Sequence, residues 1–158
     1  MDPRLTVERR AARAFNATGH LLGDLKKEIT AMRILIVDDA TVSAELTAEC
    51  LMMEPGVSVQ IAGDGATALR TMAEFQPDAV LLDVDLPDAS GLDLAPQLKT
   101  MNEGRAPRII IFSGSVRQSP GFLPDGVDAW LTKPAHLDAL LDCIFRPDAK
   151  KRGLTDRT

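Results

Sequence analysis

Polar residues with complementary chemistry follow short apolar segments at several points of the sequence. The five such residues are Asp38, Asp39, Asp83, Ser113 and Lys133. Three carboxylates held together repel one another, and burial makes each of them harder to ionise. A hard divalent cation relieves that repulsion, because Mg²⁺ binds oxygen ligands, typically one or two carboxylates with water and phosphate. The residue types therefore indicate a carboxylate-rich metal site beside an ammonium group and a hydroxyl group.

Such a site suits phosphoryl transfer, in which catalysis consists mainly of positioning and charge neutralisation. Asp83 is the central acid and can attack phosphorus as a carboxylate nucleophile, which gives an acyl phosphate. Asp39 would bind the metal directly, and Asp38 would bind it directly or through water. Lys133 would pair with one phosphoryl oxygen, and Ser113 would donate a hydrogen bond to another.

These residues meet only if the segments before them are strands of one sheet. From residue 32 onward, apolar segments typical of buried strands alternate with segments of helical periodicity. Five strands that alternate with helices predict an α/β fold, a doubly wound five-stranded parallel sheet. In that fold, functional groups gather at the carboxyl ends of the strands, where the crossovers leave a crevice.

Two helical segments carry specific predictions. In residues 41–53, helical spacing places Val42, Leu46, Cys50 and Met53 on one face, which we expect to be the apolar face. The fourth crossover, residues 113–126, carries Pro120, Gly121, Pro124 and Gly126. We therefore expect a shortened or irregular fourth helix there.

Composition limits the class of protein. The chain has 158 residues, of which 45% are hydrophobic and 26% are charged, as is ordinary for one soluble domain with tails. Its apolar runs are far shorter than the roughly 20 residues that span a bilayer. Cys50 and Cys143 lack metal-ligand spacing and do not form a disulfide framework, so we expect a reducing, cytoplasmic setting. Residues 32–158 carry a net charge of −7, which argues against direct nucleic-acid binding.

The segments that carry these residues resemble the receiver domain of two-component response regulators. The matching motifs occur in the family's order and are "ILIVDDA", "AGDGATALR", "AVLLDVDLPDASGLDL", "IIIFSGS" and "AWLTKPAHLDALL". The spacing also fits, with 44 residues from Asp39 to Asp83, 30 from Asp83 to Ser113 and 20 from Ser113 to Lys133. The resemblance covers residues 32–146 and implies a flavodoxin-like fold of the receiver type.

The resemblance also implies individual roles. Asp83 would be the phosphoacceptor, Asp38 and Asp39 the acidic pair that binds Mg²⁺, and the backbone carbonyl of Asp85 a further metal ligand. The Asp85 side chain would affect autodephosphorylation, by orienting water or by repelling it.

The same resemblance implies a switch formed by Ser113 and Trp130. In the family, the hydroxyl moves toward the phosphoryl group while the aromatic side chain turns inward. Lys133 precedes Pro134, and family members usually have a cis bond at that position. Asp88, in contrast, is assigned to ordinary turn chemistry.

The predicted function is a phosphorylation-dependent switch of a two-component phosphorelay. A histidine kinase or phosphotransfer protein would donate the phosphoryl group, and the output would be contact with a protein target. The protein would be a monomer or weak dimer, and not an enzyme beyond self-catalysed phosphotransfer and autodephosphorylation. Alternatives are a phosphate sink and a phosphorylation-independent adaptor. A haloacid-dehalogenase-like phosphatase fits less well, because Pro87 stands where that family has a hydroxyl.

The two ends of the chain remain open. Residues 1–31 hold six basic and four acidic side chains and could form a helix with Leu21, Leu22, Leu25 and Ile29 on one face. That extension is either a docking or dimerising helix, or an over-extended start whose natural beginning is Met32. Residues 147–158 are predicted to be a polar tail.

Overall fold

The computed structural model describes residues 31–102, 104–115 and 121–145. The strands are β1 (Met32–Val37), β2 (Val57–Ala62), β3 (Ala79–Leu82), β4 (Arg108–Ser113) and β5 (Ala129–Thr132). The helices are α1 (Thr41–Met52), α2 (Gly65–Phe75), α3 (Gly91–Lys99) and α4 (Leu137–Phe145). The predicted N-terminal helix and polar tail lie outside the described residues. No helix in the described parts is long and apolar enough to cross a membrane.

All five strands form one parallel sheet in the order β2-β1-β3-β4-β5. The chain moves from β1 outward to β2, then returns to the other side of β1 at β3. That reversal is the switch point of a doubly wound sheet, and the crevice opens outside the carboxyl ends of the strands at such a point. The predicted fold class is confirmed.

The sheet is buried on both faces, which explains why its strands are almost continuously apolar. On one face the side chains of alternate strand residues pack beneath α2 and α3, and on the other they pack beneath α1 and α4. The first set includes Leu35, Val37, Val80, Leu82, Ile109 and Ile111. The second set includes Ile34, Ile36, Leu81 and Ile110. Helices on both faces hold the strand ends in a fixed relation to one another.

The face of α1 predicted from helical spacing is not the face that packs on the sheet. The helix packs on the sheet through Ala44, Ala48 and Leu51, whereas Val42 is 71% exposed and Leu46 is 58% exposed. Apolar residues occur at helical spacing on both sides of α1, so periodicity alone does not show which side meets the sheet. The two alanines allow the helix to approach the strands closely, and the larger side chains therefore point outward.

The fourth crossover agrees with its prediction over the residues that the structure describes. Residues 114–115 and 121–128 contain turns and bends but no helix, and residues 116–120 lie outside the described ranges. Gly126 has a φ of +80° and lies so close to α3 that an added Cβ would be 2.8 Å from the Pro96 nitrogen. The crossover therefore leans on α3 at a position that only glycine fits.

A second glycine governs the loop between β3 and α3. The Gly91 N–H donates to the Val84 carbonyl at 2.8 Å, which folds the loop back on the end of β3. The Ser90 hydroxyl caps α3 by accepting from the Leu92 N–H at 3.2 Å. A Cβ on Gly91 would lie 2.1 Å from the Asp83 carbonyl oxygen. The backbone around Asp83 therefore depends on the absence of a side chain at position 91.

Replacing Gly91 with alanine tests this contact. Because the new methyl group would overlap backbone atoms, we expect Gly91→Ala to lower the free energy of unfolding in urea by about 1–3 kcal/mol. Gly63→Ala is the matched control, since a Cβ at position 63 meets no atom within 4 Å. The control should change stability by less than about 0.5 kcal/mol. Equal stability of the two variants would contradict the packing described here.

Candidate functional site

The predicted site residues meet at the carboxyl edge of the sheet. Asp38, Asp83 and Lys133 directly follow β1, β3 and β5, in that order. Ser113 is the last residue of β4. Backbone pairing continues past the strand ends, because the Asp83 N–H donates to the Val37 carbonyl at 2.9 Å. Likewise, the Lys133 N–H donates to the Ser113 carbonyl at 2.8 Å. The strands therefore extend far enough to hold these residues in register.

Three carboxylates form the centre of the site. Asp38, Asp39 and Asp83 each place one carboxylate oxygen within 4.8 Å of the others. The Asp38 side chain is only 5% exposed and that of Asp83 is 13% exposed, whereas Asp39 is open to solvent. This all-oxygen donor set fits a hard cation, and its open side leaves room for the water ligands that Mg²⁺ retains.

Lys133 is the positive charge within the cluster. Its ammonium group pairs with the Asp38 Oδ2 and lies 3.8 Å from the Asp83 Oδ2. The ammonium nitrogen also lies 5.3 Å from the centroid of the Phe112 ring, within range of a cation–π interaction. One lysine neutralises one of the three carboxylates, so the cluster retains a net negative charge that favours a divalent cation.

Hydrogen bonds orient the Asp83 carboxylate. The Ser113 hydroxyl donates to the Asp83 Oδ1 at 2.8 Å, and the Asp85 N–H lies 3.4 Å from the same oxygen. The Ser115 hydroxyl donates to the Asp85 Oδ2 at 3.1 Å, and the Ser115 N–H donates to the Ser113 Oγ at 3.3 Å. Ser115 was not among the predicted site residues. Its place two residues after Ser113 was the available signal, because alternate residues share a side of an extended chain.

The acidic pair is not used to cap α1. Asp38 and Asp39 precede a helix whose N-cap is Ala40, and no side chain caps that helix. The Asp38 Oδ1 instead accepts from the Ala40 N–H at 2.9 Å, in a tight turn that holds its other oxygen toward Lys133. A helix start with two acids beside it but no side-chain cap is unusual, since Asp is among the best capping residues. The arrangement leaves both carboxylates available to the site.

The next helix shows the ordinary arrangement. The Asp64 carboxylate caps α2 by accepting from the Thr67 N–H at 2.7 Å, and this hydrogen bond lowers the pKa of Asp64. Asp88, which lies in the loop after β3 as expected, accepts from the Gly65 N–H at 2.7 Å and the Ala66 N–H at 3.0 Å. Asp88 therefore joins the Asp83 loop to the start of α2. Sequence reasoning missed this link because the partners are 23 and 22 residues away.

Trp130 lies on the same face of the sheet as Ser113. It pairs with Ile111, two residues before Ser113, and packs half-buried against the cluster beneath α2 and α3. Its indole Nε1–H is buried and has no acceptor among the described residues. The Lys133–Pro134 bond at the end of β5 is cis, as the resemblance implied.

Comparisons with known proteins agree with this geometry. Residues 34–145 match the family model of the response regulator receiver domain. Curated relatives include the probable transcriptional regulatory protein TcrX of Mycobacterium tuberculosis, 35% identical over 77% of this chain and 51% of its own length. The response regulator MprA of Mycobacterium avium is 35% identical over 80% of this chain and 52% of its own length. The chain therefore spans about half the length of these relatives.

Solved structures show the same fold. A CheY-like receiver domain protein from Methanospirillum hungatei JF-1 is 28% identical, with a TM-score of 0.65 over 78% of this chain and 99% of its own. The response regulator TrrA from Thermotoga maritima, solved in complex with Mg²⁺-BeF, is 27% identical, with a TM-score of 0.64 over 73% of this chain and 98% of its own. By fold, by site geometry and by the family match, this chain belongs to the response regulator receiver domains of two-component systems.

Proposed function

We propose that the protein is a phosphorylation-dependent switch that accepts a phosphoryl group on Asp83. Mg²⁺ would be held by Asp38, Asp39, Asp83 and the backbone carbonyl of Asp85. The observation that carries the proposal is the cluster of three carboxylates within 4.8 Å, with Lys133 in contact with two of them. Like charges held this close repel one another, and a bound cation would relieve that repulsion.

The reaction is an in-line transfer. An Asp83 carboxylate oxygen forms a bond to phosphorus while the bond from phosphorus to the donor breaks, and the donor group leaves with that electron pair. Mg²⁺, when bound, neutralises charge on the acceptor and the phosphoryl oxygens. Lys133 would turn from Asp38 to a phosphoryl oxygen, and the Ser113 hydroxyl would donate to another. These residues supply position and charge, which is the main requirement of phosphoryl transfer.

The switch follows from the single proton of the Ser113 hydroxyl. That proton now lies in a hydrogen bond to the Asp83 Oδ1, so binding a phosphoryl oxygen requires the serine to change its partner. The buried Trp130 N–H has no acceptor among the described residues, and a buried donor without a partner costs about 1–3 kcal/mol. The new dianion would bias the population toward an inward Trp130.

Partners follow from the same proposal. The donor would be a histidine kinase or phosphotransfer protein in the cytoplasm, and the output would be contact with an unidentified protein target by a monomer or weak dimer. Over residues 32–158 the net charge is −7, which disfavours an output through direct contact with a nucleic-acid backbone. A phosphate sink would share the chemistry and differ in having no target.

Labelling with a small phosphodonor tests the acceptor. Acetyl phosphate with Mg²⁺ should add one phosphoryl group to the chain, as measured by intact-protein mass spectrometry. Asp83→Asn should remove the label completely, because an amide cannot act as the carboxylate nucleophile. The exposed acid Asp93 supplies the matched control, and Asp93→Asn should label as the unmodified chain does. Retained labelling of Asp83→Asn would refute the assignment.

Lys133 should affect metal binding and phosphorylation in opposite directions. Lys133→Met removes the cation that pairs with Asp38 and should tighten Mg²⁺ binding in calorimetry by about fivefold or more, since unit charges 4 Å apart interact by about 1 kcal/mol even in water. The same variant should be labelled more slowly, because a phosphoryl oxygen loses its ammonium partner. Arg70→Met, on the exposed side of α2, controls for loss of one positive charge. Weaker Mg²⁺ binding by Lys133→Met would show that the lysine does not compete with the metal.

Asp85 should shorten the lifetime of the phosphorylated state. Its carboxylate is held by Ser115 beside the acceptor, where it repels a phosphoryl dianion and can accept a hydrogen bond from an attacking water molecule. We expect Asp85→Asn to slow dephosphorylation about three- to tenfold, or about 0.7–1.4 kcal/mol in activation free energy. Ser115→Ala, which frees the carboxylate, should have a smaller effect of the same sign. Faster dephosphorylation of Asp85→Asn would mean that the acid excludes water instead.

A further inference from the structure

The loop between β3 and α3 is a short hairpin. Asp85 and Ser90 pair across it as an antiparallel bridge, and beside that bridge the Gly91 N–H donates to the Val84 carbonyl at 2.8 Å. The tip of the hairpin consists of residues 86–89, between the bridged pair. Its base contains Asp85, whose backbone carbonyl is a proposed ligand of Mg²⁺. A backbone carbonyl is oriented by the chain that carries it, so the position of this ligand depends on how the hairpin is held.

One carboxylate fixes the tip of the hairpin to α2. The Asp88 Oδ1 accepts from the Gly65 N–H at 2.7 Å, and its Oδ2 accepts from the Ala66 N–H at 3.0 Å. Because each oxygen has its own donor, the contact fixes the orientation of the carboxylate as well as its distance from the helix. These N–H groups also lie at the positive end of the helix dipole, which favours an anionic partner. The tip and the helix are therefore joined by a directional, charge-assisted contact.

The helix is a rigid anchor for that contact. Gly65 is buried at its start, and Ala68 and Met72 are fully buried against the sheet. The tip approaches the helix closely, since a Cβ on Gly65 would lie 3.2 Å from the Asp88 Oδ1 and 3.5 Å from the Ala89 Cβ. The apolar core, and not the metal site, keeps α2 in place. The helix can therefore define the position of the hairpin independently of a cation.

We propose that Asp88 is a positioning residue for the metal site. It lies outside the cluster of three carboxylates and acts through the hairpin: by holding the tip on α2, it fixes the base and the Asp85 carbonyl. This role rests on the proposed function, because it concerns the Mg²⁺ site proposed there. The alternative is that Asp88 only stabilises the start of α2, as Asp64 does through the Thr67 N–H. Positioning changes the affinity for Mg²⁺, whereas capping changes only stability.

Paired variants at the start of α2 separate the two roles. In the full chain, Asp88→Ala and Asp64→Ala each remove one carboxylate that accepts from N–H groups of α2. Both should lower the urea midpoint of unfolding, because the helix start loses an acceptor. Only Asp88→Ala should weaken Mg²⁺ binding in calorimetry, by about tenfold, the order of loss that follows removal of a group behind a metal ligand. Asp64→Ala should bind Mg²⁺ within about twofold of the unmodified chain.

A second pair of variants disturbs the same contact and retains every charge. Gly65→Ala places a methyl group 3.2 Å from the Asp88 Oδ1 and should push the tip away from α2. It should weaken Mg²⁺ binding about two- to fivefold, the order expected when one hydrogen bond is lost. Gly63→Ala, whose methyl group meets no atom within 4 Å, should leave the affinity unchanged. Weaker binding by Asp88→Ala without weaker binding by Gly65→Ala would reduce the effect to lost charge and overturn the proposal.

Labelling by acetyl phosphate gives an independent readout. In Asp88→Ala, the Mg²⁺ concentration at half-maximal labelling rate should rise about tenfold, while the rate at saturating Mg²⁺ stays within about twofold of the unmodified chain. A fall in the saturating rate at an unchanged half-maximal concentration would contradict positioning. Equal Mg²⁺ affinities of Asp88→Ala and Asp64→Ala would overturn the role of Asp88 and leave the proposed function in place. Failure of the unmodified chain to bind Mg²⁺ would instead overturn the proposed metal site itself.

Discussion

The repulsion among three carboxylates is the constraint on which the site depends. Asp38, Asp39 and Asp83 are brought within 4.8 Å by strand ends that the sheet does not allow to move apart. The ammonium of Lys133 contacts the carboxylates of Asp38 and Asp83 and neutralises only part of the negative charge of the three acids. The fold therefore holds three carboxylates in a repulsive arrangement, and a divalent cation or a comparable positive charge would relieve that repulsion.

Backbone packing, and not the side chains of the site, keeps the carboxylates in place. The sheet is clamped between two apolar layers, and the loop after β3 is held from three directions. Gly91 contacts the Asp83 backbone, Ser90 begins α3, and Asp88 binds the first N–H groups of α2. A charged cluster needs such support, because its own interactions favour separation of the strands rather than their assembly.

The sequence was sufficient to predict the sheet and the residues at its edge. Alternation of apolar and helical segments predicts a parallel sheet, and a parallel sheet by itself brings residues that follow different strands to one edge. The exposed face of α1, the link from Asp88 to α2 and the contact of Ser115 with Asp85 were not predicted. Each of these features depends on contacts between residues that are distant in the sequence, and local patterns carry no information about such contacts.

On the proposed function, the contacts within the site indicate how phosphorylation would act on Trp130. Ser113 donates a hydrogen bond to the acceptor carboxylate of Asp83, and Lys133 pairs with Asp38. On the proposed function, the same two side chains would bind the phosphoryl oxygens. Accepting a phosphoryl group would then make the Ser113 hydroxyl change its partner, because it has a single proton to donate. Ser113 ends β4 on the face where Trp130 packs, so this exchange acts on a side chain whose buried N–H is unpaired in the described residues. A displacement of Ser113 at the sheet edge would therefore act on the face where Trp130 packs.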